Sequence, residues 1–333
     1  MKKIVFLGLL CGFAGMARAQ DFSKVDAWLE ANTRKMGDKA VLMVEKDGKI
    51  VYSRAVNERD GREWRVRIAS CSKWLSAALV MRFVDEGKLQ LDDTVGKYLP
   101  VLSAHGKGDI TVRQCLSHLT GIKEPSLWKS LAEMRGIRTM DEAIEKIAEM
   151  PMEGAPGTVF HYSNAGLQIA GAILEKISGQ TFGQLFIGQI ATPLGMSNTD
   201  FGQGPVALPA GGASSTPEDY MRFLEMIRNK GVYHGVRILS EQSVEEMEKN
   251  RIGEDVRIAY SPAGAAMGKV GYGYGEWTMG PDVVSSPGLF GAFPWVDNHR
   301  GYCAFLMVFY LNNREKQERD VELMQLVNEA LGQ

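Results

Sequence analysis

Apolar runs near both ends of the chain predict the strands of one sheet. The stretch 41–54 holds two such runs on either side of Asp47-Gly48, a dipeptide favoured in two-residue turns, and so predicts a β-hairpin. Residues 272–279 alternate with glycines and are predicted as one strand. Residues 302–311 form a long apolar and aromatic run, which is the strongest strand signal in the chain.

The interior of the chain, by contrast, carries mostly helical patterns. Residues 74–84 are polar only at Ser76 and Arg82, so this helix is predicted to be buried on nearly every side, with Gly87 as its end. Further helices are predicted from apolar periodicity and from cap residues such as Thr111, Thr216 and Gly179. Their ranges are 111–116, 139–149, 165–177, 239–247 and 319–331, and one more helix begins at 216–219 with no end assigned.

This layout predicts an α+β fold in which both termini contribute to one antiparallel sheet. The expected sheet subdomain comprises about 20–66 and 265–333, and a mainly helical subdomain of about 67–264 is inserted between them. No internal repeat or low-complexity linker interrupts the pattern. Residues 20–333 are therefore expected to form one domain.

The first nineteen residues have the pattern of a secretory signal peptide. They combine a positive start of two lysines, an apolar run at 4–13 and a small-x-small cleavage site that ends at Ala19. Removal of three basic residues with this leader leaves 35 basic and 40 acidic side chains, a formal charge of -5. We expect a periplasmic or secreted protein with no later transmembrane segment and no nucleic-acid partner.

Cysteine usage argues against a disulfide framework or a metal centre. The mature chain has Cys71, Cys115 and Cys303, an odd number at spacings that do not match a metal site. We interpret them as small buried apolar residues. The sequence implies neither a metal nor a cofactor.

Candidate chemistry begins at the entrance of the buried helix, where Ser70 and Lys73 are three residues apart. On a helical turn such residues share a face, with Cβ atoms roughly 5–6 Å apart. A serine hydroxyl needs a base to become a nucleophile, and a lysine acts as that base only when it is neutral. Burial and the positive end of a helix both lower a lysine pKa, so this position suits a catalytic amine.

Two further segments supply matching groups. Tyr162 and Asn164 precede the apolar helix at 165–177, and they offer a proton relay and an amide that holds substrate or lysine. Near the C-terminus, Ser286-Pro287-Gly288 leads into a strand, and the glycine is expected to let substrate approach the backbone. The backbone amide of Leu289 is a candidate oxyanion donor.

The same S-x-x-K spacing recurs at Ser126 and Lys129, so the pattern alone is weak. The ordered set of three motifs is more specific. Ser70-x-x-Lys73, Tyr162-Ser163-Asn164 and Ser286-Pro287-Gly288 together resemble the serine hydrolases of the β-lactamase and penicillin-binding-protein family. The Tyr-x-Asn form is most similar to class C β-lactamases, related DD-peptidases and carboxylesterases.

The resemblance implies a role for each matched residue. It implies that Ser70 is acylated, that Lys73 and Tyr162 share the proton transfers, and that Asn164 holds the substrate amide and the lysine. It also implies an oxyanion hole from the amides of Ser70 and Leu289. Ser286, Gly288 and Leu289 are then substrate-binding positions, and the substrate is a small ester, amide or peptide.

The third motif departs from the family pattern, because Ser286 and Pro287 stand where the family commonly has a Lys or His and then Thr. A missing cation removes a contact to a substrate carboxylate worth about 1.5–3 kcal/mol. We therefore expect an esterase or amidase acting on a less anionic substrate. The alternatives are a DD-peptidase or β-lactamase in the strict sense and a binding or sensor protein without turnover. The sequence does not exclude that a cation from elsewhere in the chain replaces the missing one.

Several other conspicuous residues are interpreted as structural. His118 is expected to be a hydrogen-bonded core histidine, and His161 has no G-x-S-x-G partner with which to form a triad. Trp277 and Trp295 are equally compatible with the wall of a pocket and with the core.

Overall fold

The computed structural model describes residues 20–126, 129, 132, 136–312 and 314–332. The expected leader at 1–19 lies outside the described residues, as do Leu127 and Trp128 of the second S-x-x-K copy. In the described part of the chain, no helix has the length and apolar character needed to cross a membrane.

A seven-stranded antiparallel sheet forms the framework, in the order β2-β1-β13-β12-β11-β10-β9. Its strands are β1 Ala40–Lys46, β2 Lys49–Val56, β9 Gly271–Tyr272, β10 Trp277–Thr278, β11 Val283–Ser285, β12 Phe293–Asp297 and β13 Tyr302–Met307. Three two-stranded pairs lie between these segments: β3 Val66–Arg67 with β5 Ser214–Ser215, β4 Val159–His161 with β8 Arg257–Tyr260, and β6 Val232–Tyr233 with β7 Val236–Arg237. The α+β class and the antiparallel sheet built from both ends of the chain are as predicted.

The predicted hairpin is confirmed at β1 and β2. Asp47 and Gly48 both adopt positive φ, 53° and 74°, as a type I′ turn requires. β1 is almost entirely buried because helices cover both faces of the sheet. Its central position explains why residues 41–44 are apolar without alternation.

Most of the helices within the described residues lie on predicted spans. They are α1 Ser23–Asn32, α2 Ser72–Asp85, α3 Pro100–Ala104, α4 Val112–Leu116, α5 Met140–Glu149, α6 Ala165–Ser178, α7 Phe182–Phe186, α8 Thr192–Leu194, α9 Pro217–Arg228, α10 Glu241–Glu248 and α11 Lys316–Ala330. Short 3₁₀ turns flank several of them, and one π-helical turn covers Ile187–Ala191.

Local capping explains where these helices begin and end. The hydroxyls of Thr139, Thr216 and Ser240 accept hydrogen bonds from backbone N–H groups in the first turns of α5, α9 and α10. At the other end of α6, Gly179 takes a left-handed φ of 70°, a conformation that glycine adopts at little cost.

Helix α2 lies at the centre of the largest apolar cluster. Eleven of its residues are buried, including Trp74 and Leu75, and the cluster extends to α6, α9 and one face of the sheet. The opposite face of the sheet, with Leu42 and Leu306, packs against α1 and α11. The all-round apolar pattern of α2 thus reflects burial between the sheet and the helical region.

Three predictions about the ends of the chain need correction. The stretch 272–279 is two short antiparallel strands, because a Cβ at Gly273 would collide with the Met247 carbonyl and Gly275 turns at a φ of 78°. Strand β13 ends at Met307; Val308 is still buried, and the apolar residues 309–311 are exposed. Helix α11 begins at Lys316, three residues before its predicted start. Helices α1, α3, α7 and α8 were not predicted. The division into two subdomains stays a prediction.

Candidate active site

Ser70 lies in a short 3₁₀ turn, Ala69–Cys71, that leads directly into α2. The preceding Ala69 has a left-handed φ of 45°, a conformation that costs a non-glycine residue about 1–3 kcal/mol. This bend places Ser70 at the entrance of the buried helix, where its side chain lines a cleft. The strain is local to the candidate nucleophile.

Lys73 reaches back from the first turn of α2 to Ser70. Its Nζ lies 3.1 Å from Ser70 Oγ, 3.3 Å from Asn164 Oδ1 and 2.8 Å from the Ala210 carbonyl oxygen. The residue is only 1% exposed. A neutral amine has two N–H donors and one lone pair, which matches two obligate acceptors and one hydroxyl able to donate.

The electrostatic setting of Lys73 favours this neutral form. Burial lowers the pKa of Lys73 to about 7, against the opposing influence of Glu124 and Cys71. The Cys71 thiol is itself buried, and burial raises its pKa. The amine is therefore partly uncharged near neutral pH.

Tyr162 completes the group of three side chains. The Lys73 ammonium nitrogen lies 4.8 Å from the centre of its ring, which stacks on Trp277 at 5.4 Å. Burial raises the pKa of Tyr162, and contact with Ser70 only partly offsets this effect. The phenol thus stays protonated at a pH where the Lys73 amine is partly neutral.

The third motif packs against the turn that carries Ser70. Ser286 is buried, and its hydroxyl lies 2.9 Å from the Gly275 carbonyl oxygen and 3.2 Å from that of Ser70. A Cβ on Gly288 would lie 2.5 Å from the Ile68 carbonyl oxygen. Both residues pack this segment against the turn that carries Ser70, and their expected role in substrate binding stays a prediction.

Leu289, the next residue, does line the cleft. Neither its backbone amide nor that of Ser70 donates a hydrogen bond to another described residue. An oxyanion hole requires two unpaired N–H groups close to the nucleophile. The predicted position of Leu289 is thus compatible with its expected role.

The cleft has a volume of about 400 Å³ and opens over Ser70, Tyr162 and Asn164. One wall is mostly apolar and includes Trp277 and Leu289. This size and character suit a small organic substrate. Trp295, by contrast, is buried in the sheet and donates a hydrogen bond to the Tyr302 hydroxyl at 2.8 Å.

Charged residues from the start of α11 also line the cleft. Lys316 Nζ lies 3.2 Å from the Gly288 carbonyl oxygen, and the carboxyl of Asp320 is one helical turn further on. Burial lowers the pKa of Lys316 and raises that of Asp320. A lysine amine therefore lies beside the third motif, although the motif itself supplies none. Lys316 was not singled out from the sequence because the helix was predicted to begin only at residue 319.

The two histidines and the second S-x-x-K copy occupy different environments. His118 is buried, with Nδ1 accepting from the Ser163 amide and Nε2 facing the Tyr272 hydroxyl at 3.0 Å, so it is the core histidine expected. His161 pairs with Glu153 in the cleft wall. In the second S-x-x-K copy, Ser126 lines the cleft but Lys129 is exposed.

Fold and site together define a serine hydrolase constellation, with a hydroxyl, a buried amine and a phenol around one cleft. Residues 29–329 match the family model described as Beta-lactamase, and the chain belongs to this family of serine hydrolases. This membership confirms the resemblance that the three ordered motifs indicated.

Individual relatives point to more than one activity. The crystal structure of a protein from Bacteroides dorei assigned to the β-lactamases superposes with a TM-score of 0.83 at 28% identity, covering 95% of this chain and 100% of that one. Esterase EstB from Burkholderia gladioli is 32% identical over 49% of this chain and 46% of its own. The D-alanyl-D-alanine-carboxypeptidase/endopeptidase AmpH of Escherichia coli is 26% identical over 50% of each chain.

Proposed function

We propose that this protein hydrolyses a small ester or amide through an acyl-enzyme on Ser70. The observation that carries the proposal is the Lys73 amine, which lies 3.1 Å from Ser70 Oγ and has a pKa lowered to about 7 by burial. An amine in this state can accept the serine proton near neutral pH. Its other two contacts are to acceptors, which leaves the lone pair for the hydroxyl.

The acylation step uses the groups around the cleft in turn. Ser70 Oγ attacks the substrate carbonyl carbon while its proton passes to Lys73. The amides of Ser70 and Leu289 stabilise the resulting oxyanion. The bond to the leaving group then breaks, and Tyr162 delivers a proton to the departing alcohol or amine while Lys73 returns one to the phenol.

Water completes the turnover. It adds to the acyl carbon while its proton passes to the neutral Lys73 amine, relayed by the Tyr162 phenol; the bond to Ser70 Oγ then breaks, and Lys73 returns the proton to the serine oxygen. The products are a carboxylic acid and a free enzyme. Asn164 stays in place through both half-reactions, holding the lysine and the substrate amide.

An uncharged, apolar acyl group is the substrate that the cleft favours. Trp277 and Leu289 line the cleft with apolar surface. Ser286 and Gly288 of the third motif, by contrast, are buried in the protein interior. Apolar surface buried against such a wall contributes roughly 25 cal/mol per Å² to binding. The relative named an esterase supports the same substrate class.

A short p-nitrophenyl acyl ester tests the proposal. We expect release of p-nitrophenol that disappears in Ser70→Ala, together with a transient acyl adduct on the intact protein by mass spectrometry. Ser126→Ala is the matched control, because Ser126 lines the same cleft with the same spacing to a lysine. Loss of turnover in Ser126→Ala comparable to that in Ser70→Ala, or full activity without Ser70, contradicts the assignment.

A second candidate function rests on Lys316. Its amine lies beside the third motif and lines the cleft, so in its charged form it can take the place of the absent cation in binding a substrate carboxylate. The alternative is therefore a DD-peptidase or β-lactamase activity, as in the relative AmpH. Lys316→Gln should then lower kcat/KM roughly ten- to hundredfold for a carboxylate-bearing substrate and leave a neutral ester nearly unchanged.

The same panel of substrates separates the remaining functions. Nitrocefin hydrolysis supports a β-lactamase, and release of D-alanine from a D-Ala-D-Ala peptide supports a peptidase. A penicillin adduct that never clears, with no ester turnover, supports a binding or sensor protein.

We also propose that the protein is exported through residues 1–19. The support is the sequence pattern of two lysines, an apolar run and the cleavage site at Ala19. N-terminal sequencing of protein recovered from the periplasm or medium should begin at Gln20. Recovery of the intact leader on protein in the cytoplasm contradicts export.

A further inference from the structure

Glu124 is a buried acid at the edge of the cleft that the sequence did not single out. It is 8% exposed and follows the end of α4 by eight residues. One carboxyl oxygen, Oε2, accepts hydrogen bonds from the backbone amides of Asn164 at 2.5 Å and Ala165 at 3.0 Å. Glu124 thereby caps the start of α6, a task that the side chain of Asn164 does not perform.

The other oxygen of Glu124 faces the side chain of Asn164. Oε1 lies 3.4 Å from Asn164 Nδ2, while Asn164 Oδ1 lies 3.3 Å from Lys73 Nζ. A carboxylate only accepts hydrogen bonds, so it requires the NH₂ end of the amide to point towards it. This contact leaves the carbonyl end of Asn164 for the lysine.

The orientation of Asn164 decides how Lys73 uses its own hydrogens. Lys73 gives one N–H to Asn164 Oδ1 and one to the Ala210 carbonyl, so the lone pair of the neutral amine faces Ser70. If the amide of Asn164 were reversed, its NH₂ group would point at the amine and compete for that lone pair. Lys73 could then no longer accept the proton of the Ser70 hydroxyl.

We propose that Glu124 is a positioning residue that fixes the hydrogen-bond direction along Glu124, Asn164, Lys73 and Ser70. The inference rests on the proposed function, in which Lys73 takes the serine proton. It assigns to Glu124 a task beyond capping α6. The cap alone would need only Oε2, whereas the contact through Oε1 acts on the reacting groups.

Charge contributes to the same task. Burial lowers the pKa of Lys73, and Glu124 opposes that change. The other titratable groups that face the amine are Cys71, Tyr162 and His118. Since burial keeps those three neutral, Glu124 is the group among them whose charge reaches Lys73 near neutral pH.

Glu124→Gln tests the proposal, because glutamine has nearly the same shape but brings an NH₂ donor and no charge. We expect kcat/KM for a p-nitrophenyl ester to fall roughly tenfold above about pH 8, where Lys73 is neutral in both proteins. The acidic limb of the pH profile should also move to lower pH, by about half to one unit. KM should change less than kcat, because the substrate contacts remain.

The double variant separates positioning from simple capping. If Glu124 acts through Asn164, then Glu124→Gln in an Asn164→Ala background should change kcat/KM by less than about twofold. Thr139→Ala is the matched control, because it removes an equivalent cap bond, from the Glu142 amide at 3.1 Å, on a helix away from the cleft. This control should lower the melting temperature and leave kcat/KM unchanged.

Two results overturn the inference. One is a Glu124→Gln protein whose activity and pH profile match the wild type after correction for its folded fraction. The other is an undiminished effect of Glu124→Gln when Asn164 is alanine. A failure of the proposed function is recognised separately, because Ser70→Ala would then retain ester turnover and no acyl adduct would form.

Discussion

Replacing Lys73 by methionine should change how the stability of the protein depends on pH. Methionine has a similar length and no titratable group, so it removes the buried amine without opening a large cavity. In the wild type, burial holds the pKa of Lys73 at about 7, whereas its ordinary value is 10.5. Between these two values the unfolded chain binds a proton that the native protein does not.

The sign and size of the effect follow from proton linkage. Because the unfolded state binds more protons, the free energy of unfolding of the wild type rises with pH by up to about 1.4 kcal/mol per unit above pH 7. Below pH 7 both states are charged and the slope vanishes. With the two pKa values, the wild type gains about 2 kcal/mol relative to Lys73→Met between about pH 6.5 and about pH 8.5.

Urea unfolding of both proteins at these two pH values measures the effect directly. Other titrating groups, such as the buried thiols, contribute equally to both proteins and cancel in the difference. The lost hydrogen bonds of Lys73 shift the difference by a constant that does not depend on pH. A difference between the two proteins that stays constant within about 0.5 kcal/mol would show that Lys73 is charged in the native state, which removes the proposed base.

Three further results are expected. Gly288→Ala places a Cβ 2.5 Å from the Ile68 carbonyl oxygen, so steady-state kinetics should show kcat/KM at least about tenfold lower, and unchanged kinetics contradict this packing. Burial raises the pKa of Glu276 well above its ordinary value, so Glu276→Gln should gain stability relative to the wild type as the pH of urea unfolding rises from about 5 to about 8, whereas parallel curves refute it. The three free cysteines of the described chain are buried, so Ellman's reagent should label them only after unfolding, and rapid native labelling counts against this burial.

Local signals in the sequence account for the elements of the fold. The turn at Asp47-Gly48 and the cap at Thr216 act over a few residues, where backbone geometry and short-range hydrogen bonds decide the structure. The strand predicted at 272–279 failed because its glycines serve contacts with distant segments, including the carbonyl of Met247. Such contacts leave no periodic pattern in the sequence.

The candidate site likewise combines a local contact with contacts between distant segments of the chain. Ser70 and Lys73 are three residues apart on one helical turn, so their 3.1 Å contact was predictable from spacing alone. The convergence of Tyr162 on them was expected only from a family resemblance, since no local rule joins segments ninety residues apart.

Only the tertiary structure decided which other groups act on that pair. Glu124 reaches Asn164 across forty residues, and Lys316 enters the cleft from the last helix. Burial, which lowers the pKa of Lys73, is also a property of the packed protein rather than of the sequence around it. Sequence spacing determines which neighbouring side chains share a face, whereas desolvation and long-range hydrogen bonds exist only after the chain has packed.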